Sequence, residues 1–211
     1  MVQRLFTDNL SQGVAYSWGP EWPRPHTLQH WPGKLVHELD NKVPTQIAYD
    51  RAGSIKPTAW GFLIDIDDDA LDHKEFFKLH LDPRYANANP NRDPTHEVKR
   101  RFRDYMRCVY RHIAETISNA FVRWESKRVE FLFSVPTTWK DRWAWKISQD
   151  NSYWIAPRAM IVQIEELLKQ AGFGSDGANH RVEISLTEAE AAAVFASKHQ
   201  YEVSSLMSNT C

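Results

Sequence analysis

The feature that most constrains the fold lies near the end of the chain, where a strand pattern runs directly into a helix pattern over residues 181–197. The alternating apolar residues of the predicted strand are Val182, Ile184 and Leu186. Thr187 follows, and Glu190 comes three residues later, which is the spacing of a capping box that opens a helix. Glu188 is thereby placed in the first helical turn, at the carboxyl end of the strand. Because open α/β sheets bind ligands at such ends, this segment predicts an α/β fold with a ligand site here.

Other segments supply the remaining parts of an α/β unit. A long helix, capped by Thr95 and running to about residue 119, is predicted by apolar residues that recur every three or four positions. These residues are Val98, Phe102, Tyr105, Met106, Val109, Ile113 and Ile117. The basic residues that lie largely off this face are interpreted as solvated, and they are Lys99, Arg100, Arg103, Arg107 and Arg111. The apolar run 128–135 is typical of a strand covered on both faces, and a second helix is predicted over 159–171, ending at Gly172. Strand, helix and strand at these spacings favour a right-handed crossover.

A β-hairpin is predicted in the first third of the chain. The run 43–50 is rich in strand formers, and residues 50–53 (Asp-Arg-Ala-Gly) have hairpin-turn chemistry. The partner strand is expected near 58–64, where Gly61 indicates a bulge or a close approach of two backbones. Two further stretches are interpreted as loops: the acidic run 65–72 as a solvated linker, and residues 85–94 as a turn-forming segment.

Composition excludes several classes of function. The 211 residues can form one domain or two small ones, and the net charge of −1 gives no electrostatic footprint for nucleic acid or acidic membranes. Two cysteines form no disulfide framework, which favours a reducing compartment. The first residues are too polar for a signal peptide, and no apolar run approaches the length of a membrane span. We therefore expect a soluble, cytoplasmic protein with no nucleic-acid or membrane partner.

Neither the tryptophans nor the potential metal ligands indicate a binding site in the sequence. Nine tryptophans could form a stacking platform for single-stranded nucleic acid, but without an excess of basic residues packing is the favoured interpretation. The nine histidines are spread along the chain and no Cys-x-x-Cys pair occurs, so no metal site is predicted.

Eight short phrases, in order along the chain, resemble the heat shock protein 70 family of the actin-like ATPase superfamily, in particular its fungal members. They are residues 13–16, 31–33, 42–50, 60–62, 76–83, 130–139, 169–173 and 187–193. The resemblance implies the first lobe of a two-lobed nucleotide-binding domain over residues 1–200, with a ribonuclease-H-like mixed sheet and flanking helices. It also implies an atypical insert at 141–155 and a divergent tail at 201–211. ATP and Mg²⁺ are the cofactors it implies, and unfolded proteins or co-chaperones are the partners.

The resemblance also implies roles for individual residues. Glu188 matches by position the glutamate that helps to place magnesium and the attacking water, whereas the alternative is a helix-dipole partner, and the two weigh about evenly. Pro136 matches the proline that switches between nucleotide states, whereas the alternative is simple strand termination. Asp8 and Gly13 are the candidate cofactor-binding residues of the first phosphate loop.

Departures from the family pattern argue against ATP turnover. The family opens with an Asp-Phe-Gly-Thr-Thr loop, whose aspartate falls here on Phe6 and whose glycine falls on Asp8. Its two threonines fall on Asn9 and Leu10, so no glycine stands where backbone would meet phosphate. The chain also ends before the family's second phosphate loop. We therefore expect a truncated chaperone-type ATP-binding protein with impaired or absent hydrolysis. The alternatives are a non-enzymatic protein-interaction module and an incomplete gene sequence of an intact ATPase.

Overall fold

The computed structural model describes residues 2–7, 11–20, 25–89, 93–136, 156–175, 177–187, 189–190 and 193. Its strands are β1 (Val2–Thr7), β2 (Ser11–Ser17), β3 (His26–Thr27), β4 (Lys42–Pro44), β5 (Gln46–Asp50), β6 (Pro57–Trp60), β7 (Leu71–Glu75), β8 (Val129–Val135) and β9 (His180–Thr187). Its helices are α1 (Pro83–Ala88), α2 (Thr95–Ala120) and α3 (Ala156–Ala171). The predicted α/β class is confirmed at this coarse level.

The larger sheet mixes antiparallel and parallel strands in the order β3-β2-β1-β8-β9. β1 and β2 form an antiparallel pair, and β3 and β4 both pair antiparallel with the outer edge of β2, at different ends of it. On its other side β1 pairs parallel with β8, and β8 pairs parallel with β9. The strand that begins the chain therefore lies in the middle of the sheet.

The predicted strand–helix–strand unit is present as β8, α3 and β9. A parallel pair needs a crossover connection, and α3 supplies it. β8 has neighbours on both sides, and Val129 and Phe131 on one face are fully buried. On the other face Glu130 and Leu132 are only half-buried, so the predicted cover on both faces is incomplete. α3 ends at Gly172 as predicted, where the amide of Phe173 donates to the carbonyl of Leu168 at 3.1 Å.

The predicted hairpin is part of a second, three-stranded antiparallel sheet in the order β6-β5-β7. The turn after β5 is held by the amide of Gly53 on the carbonyl of Asp50, at 3.1 Å, and by the amide of Ala52 on the Asp50 carboxylate, at 2.8 Å. Gly61 follows β6 with a φ of +55°, and a Cβ there would lie 2.5 Å from Cγ2 of Val43. Gly61 is thus closely approached by a side chain, whereas a bulge or a second backbone was predicted.

One hydrophobic core joins the two sheets through α2. All seven apolar residues predicted for the buried face of α2 are at most 5% exposed. They pack in one cluster with Ile47 and Tyr49 of the smaller sheet and with Phe131 and Phe133 of the larger one. Since burying such a side chain stabilises by about 1.5–3 kcal/mol, this cluster is the main source of the fold's stability.

Several sequence-based expectations are wrong in detail. Residues 83–88 form helix α1, although 85–94 was expected to be turn-forming. β7 begins inside the stretch 65–72 interpreted as a linker, because its backbone pairs with β5 despite its polar side chains. Thr95 is the first residue of α2 and not its cap; Pro94 precedes it, and no side chain caps the helix. β1 was not predicted as a strand.

Candidate functional site

The three parallel strands of the larger sheet end at one edge. Leu5 of β1 is level with Phe133 of β8, so the last residues of these strands, Thr7 and Val135, lie two positions further along the same edge. Val135 is in turn level with Thr187, the last residue of β9. We call this row of strand ends the carboxyl edge. It is the position at which open α/β sheets bind ligands.

Two of the four predicted site residues can be located at or near the carboxyl edge. Pro136 follows β8 directly and is buried. Gly13 lies within β2, buried and opposite Phe6, so it is in the strand after the β1–β2 connection and not in the connection itself. Asp8 and Glu188 lie outside the described residues. Their neighbours in sequence, Thr7 and Thr187, are the last residues of β1 and β9.

The predicted capping box at the end of β9 is confirmed. The amide of Thr187 donates to Oε2 of Glu190 at 2.7 Å, and the amide of Glu190 donates to Oγ1 of Thr187 at 3.1 Å. The two side chains thus satisfy reciprocal backbone donors, as this motif does at helix starts. Residues 189, 190 and 193 are helical. The strand therefore leads straight into a helix at the carboxyl edge, with position 188 between them.

Sequence reasoning missed the neutral polar groups buried at this edge. Gln12, opposite Thr7, is 2% exposed, and its Nε2 donates to the carbonyl of Gly13 at 3.3 Å. Ser134 is also buried, at 6% exposure, and so is Thr187, at 3%, which the capping box had already predicted. The sequence signal of Gln12 and Ser134 is only a polar residue inside or beside an apolar strand pattern. Hydroxyl and amide groups of this kind can donate to phosphate oxygens or orient water.

The buried polar groups described at the carboxyl edge are neutral, so they supply no charge to a ligand. Among the described residues, no group of three or more His, Cys, Asp or Glu side chains could hold a metal ion. Asp8 and Glu188 are the carboxylates nearest in sequence to the ends of β1 and β9. If a divalent cation binds here, these two side chains are its candidate ligands, because Mg²⁺ is bound through carboxylate oxygens, water and phosphate.

A second concave region, an open cleft of about 790 Å³, lies between the β5–β6 hairpin and the start of α2. Arg100 is central to it: its guanidinium donates to the Glu97 carboxylate at 2.7 Å and lies 4.5 Å from the ring centroid of Tyr49. Hydrogen bonding to Arg100 holds the pKa of Glu97 below its usual range, more strongly than burial raises it. The Tyr49 hydroxyl donates to the buried Asp104 carboxylate at 3.2 Å, and burial raises the pKa of Tyr49.

The charges lining this cleft balance one another. Its charged residues are Asp50, Arg51, Asp72, Glu97, Arg100 and Arg101. Arg103 and Arg107, further along α2, both contact the carboxylate of Asp104, at 3.2 and 3.3 Å. The basic side chains interpreted from the sequence as simply solvated are thus partly engaged in ion pairs. The network stabilises the junction of α2 with the smaller sheet and offers no net charge to a ligand.

Comparisons with known proteins add no assignment: no model of a known protein family matches the chain, and no curated protein matches it. Within the described residues, no helix is both long enough and apolar enough to cross a bilayer.

Proposed function

We propose that the chain is an actin-like ATPase lobe of the heat shock protein 70 type, which holds the phosphates of Mg²⁺-ATP at the carboxyl edge and does not turn ATP over measurably. Asp8 and Glu188 are the proposed contacts to the metal and its waters, and Gly13 and Pro136 frame the strands beside them. The partners proposed with this function are unfolded proteins or co-chaperones.

The observation that carries the proposal is the convergence at the carboxyl edge. β1, β8 and β9 end level with one another, and β9 passes into a capped helix at Thr187. A helix start beside parallel strand ends offers backbone N–H groups and a favourable dipole to an anion. A carboxylate at position 188 would stand where a phosphate-bound metal ion needs a ligand.

The organisation of the larger sheet supports the finer assignment of the fold. The resemblance implies a mixed sheet with flanking helices. Here β3, β2 and β1 are antiparallel, while β8 and β9 continue the sheet parallel to β1. α2 precedes β8 and α3 connects it to β9, as flanking helices of such a lobe would.

The expected lack of turnover rests on the connection between β1 and β2. Residues 8–10 are Asp-Asn-Leu, with neither the glycine nor the threonines of the family's phosphate loop. Glycine lets a backbone approach phosphate closely, and threonine hydroxyls bind the metal, so a site without them positions the attacking water poorly. Binding without hydrolysis follows, since phosphoryl transfer depends on that positioning.

The test measures ATP binding and phosphate release in the presence of Mg²⁺. Glu188→Gln is expected to weaken binding of Mg²⁺-ATP roughly fivefold or more, because it removes an anionic metal ligand. The matched control Glu183→Gln changes an exposed glutamate within β9 and should leave binding unchanged. Phosphate release should stay at background for all three proteins. Absence of binding at millimolar ATP would refute the nucleotide site, and turnover abolished by Glu188→Gln would refute the inactive assignment.

A second candidate function, a non-enzymatic interaction module, is favoured by exposed aliphatic side chains in the loops before β4 and after β6. Leu35, Val36 and Ile66 are 62%, 88% and 75% exposed. Clustered exposed apolar residues mark interaction sites on folded proteins. The two functions are compatible, because none of the proposed nucleotide contacts is among these exposed residues.

A further inference from the structure

Two neighbouring loops present large aliphatic side chains to solvent. The first covers residues 33–39, and the second covers 61–69, directly after β6. The exposed aliphatic residues are Leu35 (62%), Val36 (88%), Leu39 (53%), Leu63 (47%) and Ile66 (75%). We call the surface of these two loops the acidic aliphatic patch, because the remaining exposed side chains on it are mostly carboxylates.

The two loops contact each other. Gly33 has a φ of +90°, and a Cβ at this position would lie 2.5 Å from the carbonyl oxygen of Phe62. Next to it, the Lys34 ammonium lies 4.5 Å from the centroid of the Phe62 ring. Only glycine permits this approach, so the two loops that carry the exposed aliphatic residues lie side by side at Gly33 and Phe62.

The patch rests on the core at both ends. Trp31, at 3% exposure, anchors the first loop, and its Nε1 donates to the carbonyl of Asp40 at 2.8 Å. Gly61 packs against the buried Val43 and anchors the second. Each loop is therefore fixed to the core near its first residue. Lost rotamer and loop freedom on binding is correspondingly small.

Carboxylates surround the aliphatic residues. The exposed acidic residues are Glu38, Asp65, Asp67, Asp68 and Asp69. Asp65 and Asp68 accept backbone amides of their own loop, from Asp67 at 3.0 Å and from Ala70 at 2.9 Å. None of the five forms an ion pair with another described residue. The adjacent cation, Lys34, is paired with Asp40 at 2.7 Å.

We propose that the acidic aliphatic patch docks a basic amphipathic segment of a partner protein. Apolar side chains of such a segment would cover the aliphatic residues, and its lysines and arginines would face the surrounding carboxylates. Anionic lipid and nucleic acid would be repelled by the same carboxylates. A two-fold contact with a second copy would place these acidic residues against themselves, which is destabilising.

The proposal does not rest on nucleotide binding. The patch adjoins β4 through the contact of Gly61 with Val43, and Val43 is level with Gln12 near the carboxyl edge, but none of the proposed nucleotide contacts belongs to the patch. The chain as a whole carries a net charge of −1, so a cation attracted here responds to local charge and not to a strongly acidic protein. Failure of either proposal is therefore distinguishable from failure of the other.

The test is fluorescence anisotropy at physiological salt, with and without Mg²⁺-ATP. The probe is a labelled helical peptide with leucine every three to four residues and lysine elsewhere. Val36→Ser combined with Ile66→Ser should weaken binding about tenfold, because the two most exposed aliphatic contacts of the patch are lost. Asp67→Asn combined with Asp69→Asn should weaken binding and reduce its salt dependence.

Two controls distinguish specific binding to the acidic aliphatic patch from non-specific binding to exposed apolar side chains. Val122→Ser combined with Val162→Ser removes aliphatic side chains that are 83% and 55% exposed elsewhere on the protein, and it should leave binding unchanged. A peptide with glutamate in place of lysine should not bind. Equal affinity of the patch variants and the wild type would overturn the proposal. So would a wild-type dimer that Val36→Ser combined with Ile66→Ser dissociates in sedimentation, since a second copy would then cover the patch.

Discussion

Arg101 shows how one buried charge on α2 is accommodated. The residue is 7% exposed, and its guanidinium donates to the Asp93 carboxylate at 2.5 Å. Its Nε has no hydrogen-bond partner in the part of the chain that the structure describes. The hydrogen bond from Arg101 lowers the pKa of Asp93 more than burial raises it, and Lys74 and His80 act in the same direction as Arg101. The ion pair is thus the main compensation for placing Arg101 inside.

Asp93→Asn should destabilise the protein by about 0.5–1.5 kcal/mol at neutral pH, because it leaves a buried guanidinium without its anion. The effect stays below that of a fully buried pair because the Asp93 side chain is 45% exposed and solvent screens the interaction. A depressed pKa in the folded state means that this contribution is fully present above the unfolded-state value of about 3.9. It is lost as pH falls through the lower folded-state value. Urea unfolding at several pH values should therefore show a constant difference from wild type between about pH 5 and 7, which shrinks in acid.

Asp67→Asn is the matched control, since Asp67 is exposed and forms no ion pair with a described residue. A difference for Asp93→Asn that persists undiminished at low pH would contradict this account of the charge.

Buried charged residues such as Arg101 limit what can be predicted from the sequence. The apolar spacing of α2 correctly predicted Val98, Phe102 and Tyr105 as core. It could not predict Arg101 and Asp104, which are buried among them. Their burial depends on partners distant in the chain, such as the Tyr49 hydroxyl on Asp104. Periodicity reports which face of a helix is inside, but it carries no information about which charge will find a partner there.

At the scale of an element, the end of α3 depends on Gly172. Its φ is +120°, and a Cβ there would lie 2.4 Å from the ring of Tyr110. Gly172→Ala should therefore destabilise by about 2–4 kcal/mol, since backbone strain and a core clash add. Gly53 is the matched comparison, with a φ of +100° and no atom within 4 Å of a Cβ. Gly53→Ala should cost only about 1 kcal/mol, from strain alone. Urea denaturation of both variants measures the difference, and equal losses would rule out the clash.

Some elements can be predicted from their own residues, and others cannot. The helix patterns, the apolar strand 129–135 and the hairpin turn at Asp50 were predictable, because local periodicity and turn chemistry define them. β1 and β7 were not, because their sequences lack clean alternation and their hydrogen bonds go to strands placed by the rest of the fold. β-structure of this kind is decided by its neighbours more than by its own residues.

At the scale of the whole molecule, aromatic rings join the larger sheet to both long helices. The Phe173 ring lies 5.2 Å from Phe131, 5.0 Å from Phe133 and 4.9 Å from Tyr110 in edge-to-face geometry. Phe173 itself is fully buried. Edge-to-face pairs add stability beyond the area they bury. The Phe173 ring therefore stabilises the contact of the larger sheet with the two long helices.

Phe173→Ala should destabilise by about 3–5 kcal/mol, while Phe173→Leu, which keeps more of the volume, should lose less. Because one core joins both sheets, unfolding followed by far-ultraviolet circular dichroism and by tryptophan fluorescence should give coincident transitions in the wild type and in both variants. Separate transitions for the two probes would show that the sheets unfold independently.

The position of the candidate site could be predicted from the sequence, but most of the buried polar residues beside it could not. The junction of strand and helix at Thr187 could be predicted because a capping box and an alternating strand are local signals. Convergence with β1 could not be derived locally, because it follows from a pairing across the sheet between distant segments. The buried Gln12 and Ser134 became visible as part of this edge only when the strand order was known.

The central position of β1 has a consequence for how the chain folds during synthesis. The smaller sheet draws on residues 46–75 alone and can pair as soon as they are made. β1 is made long before residues 129–135, so it has to wait for them before its second neighbour exists, and β9 joins the sheet only after that. Such long-range pairing is slow and leaves a strand edge exposed in the interval. Until residues 129–135 have been made, the edge of β1 that later pairs with β8 stays open, so we expect a nascent chain to need protection by holding chaperones in that interval.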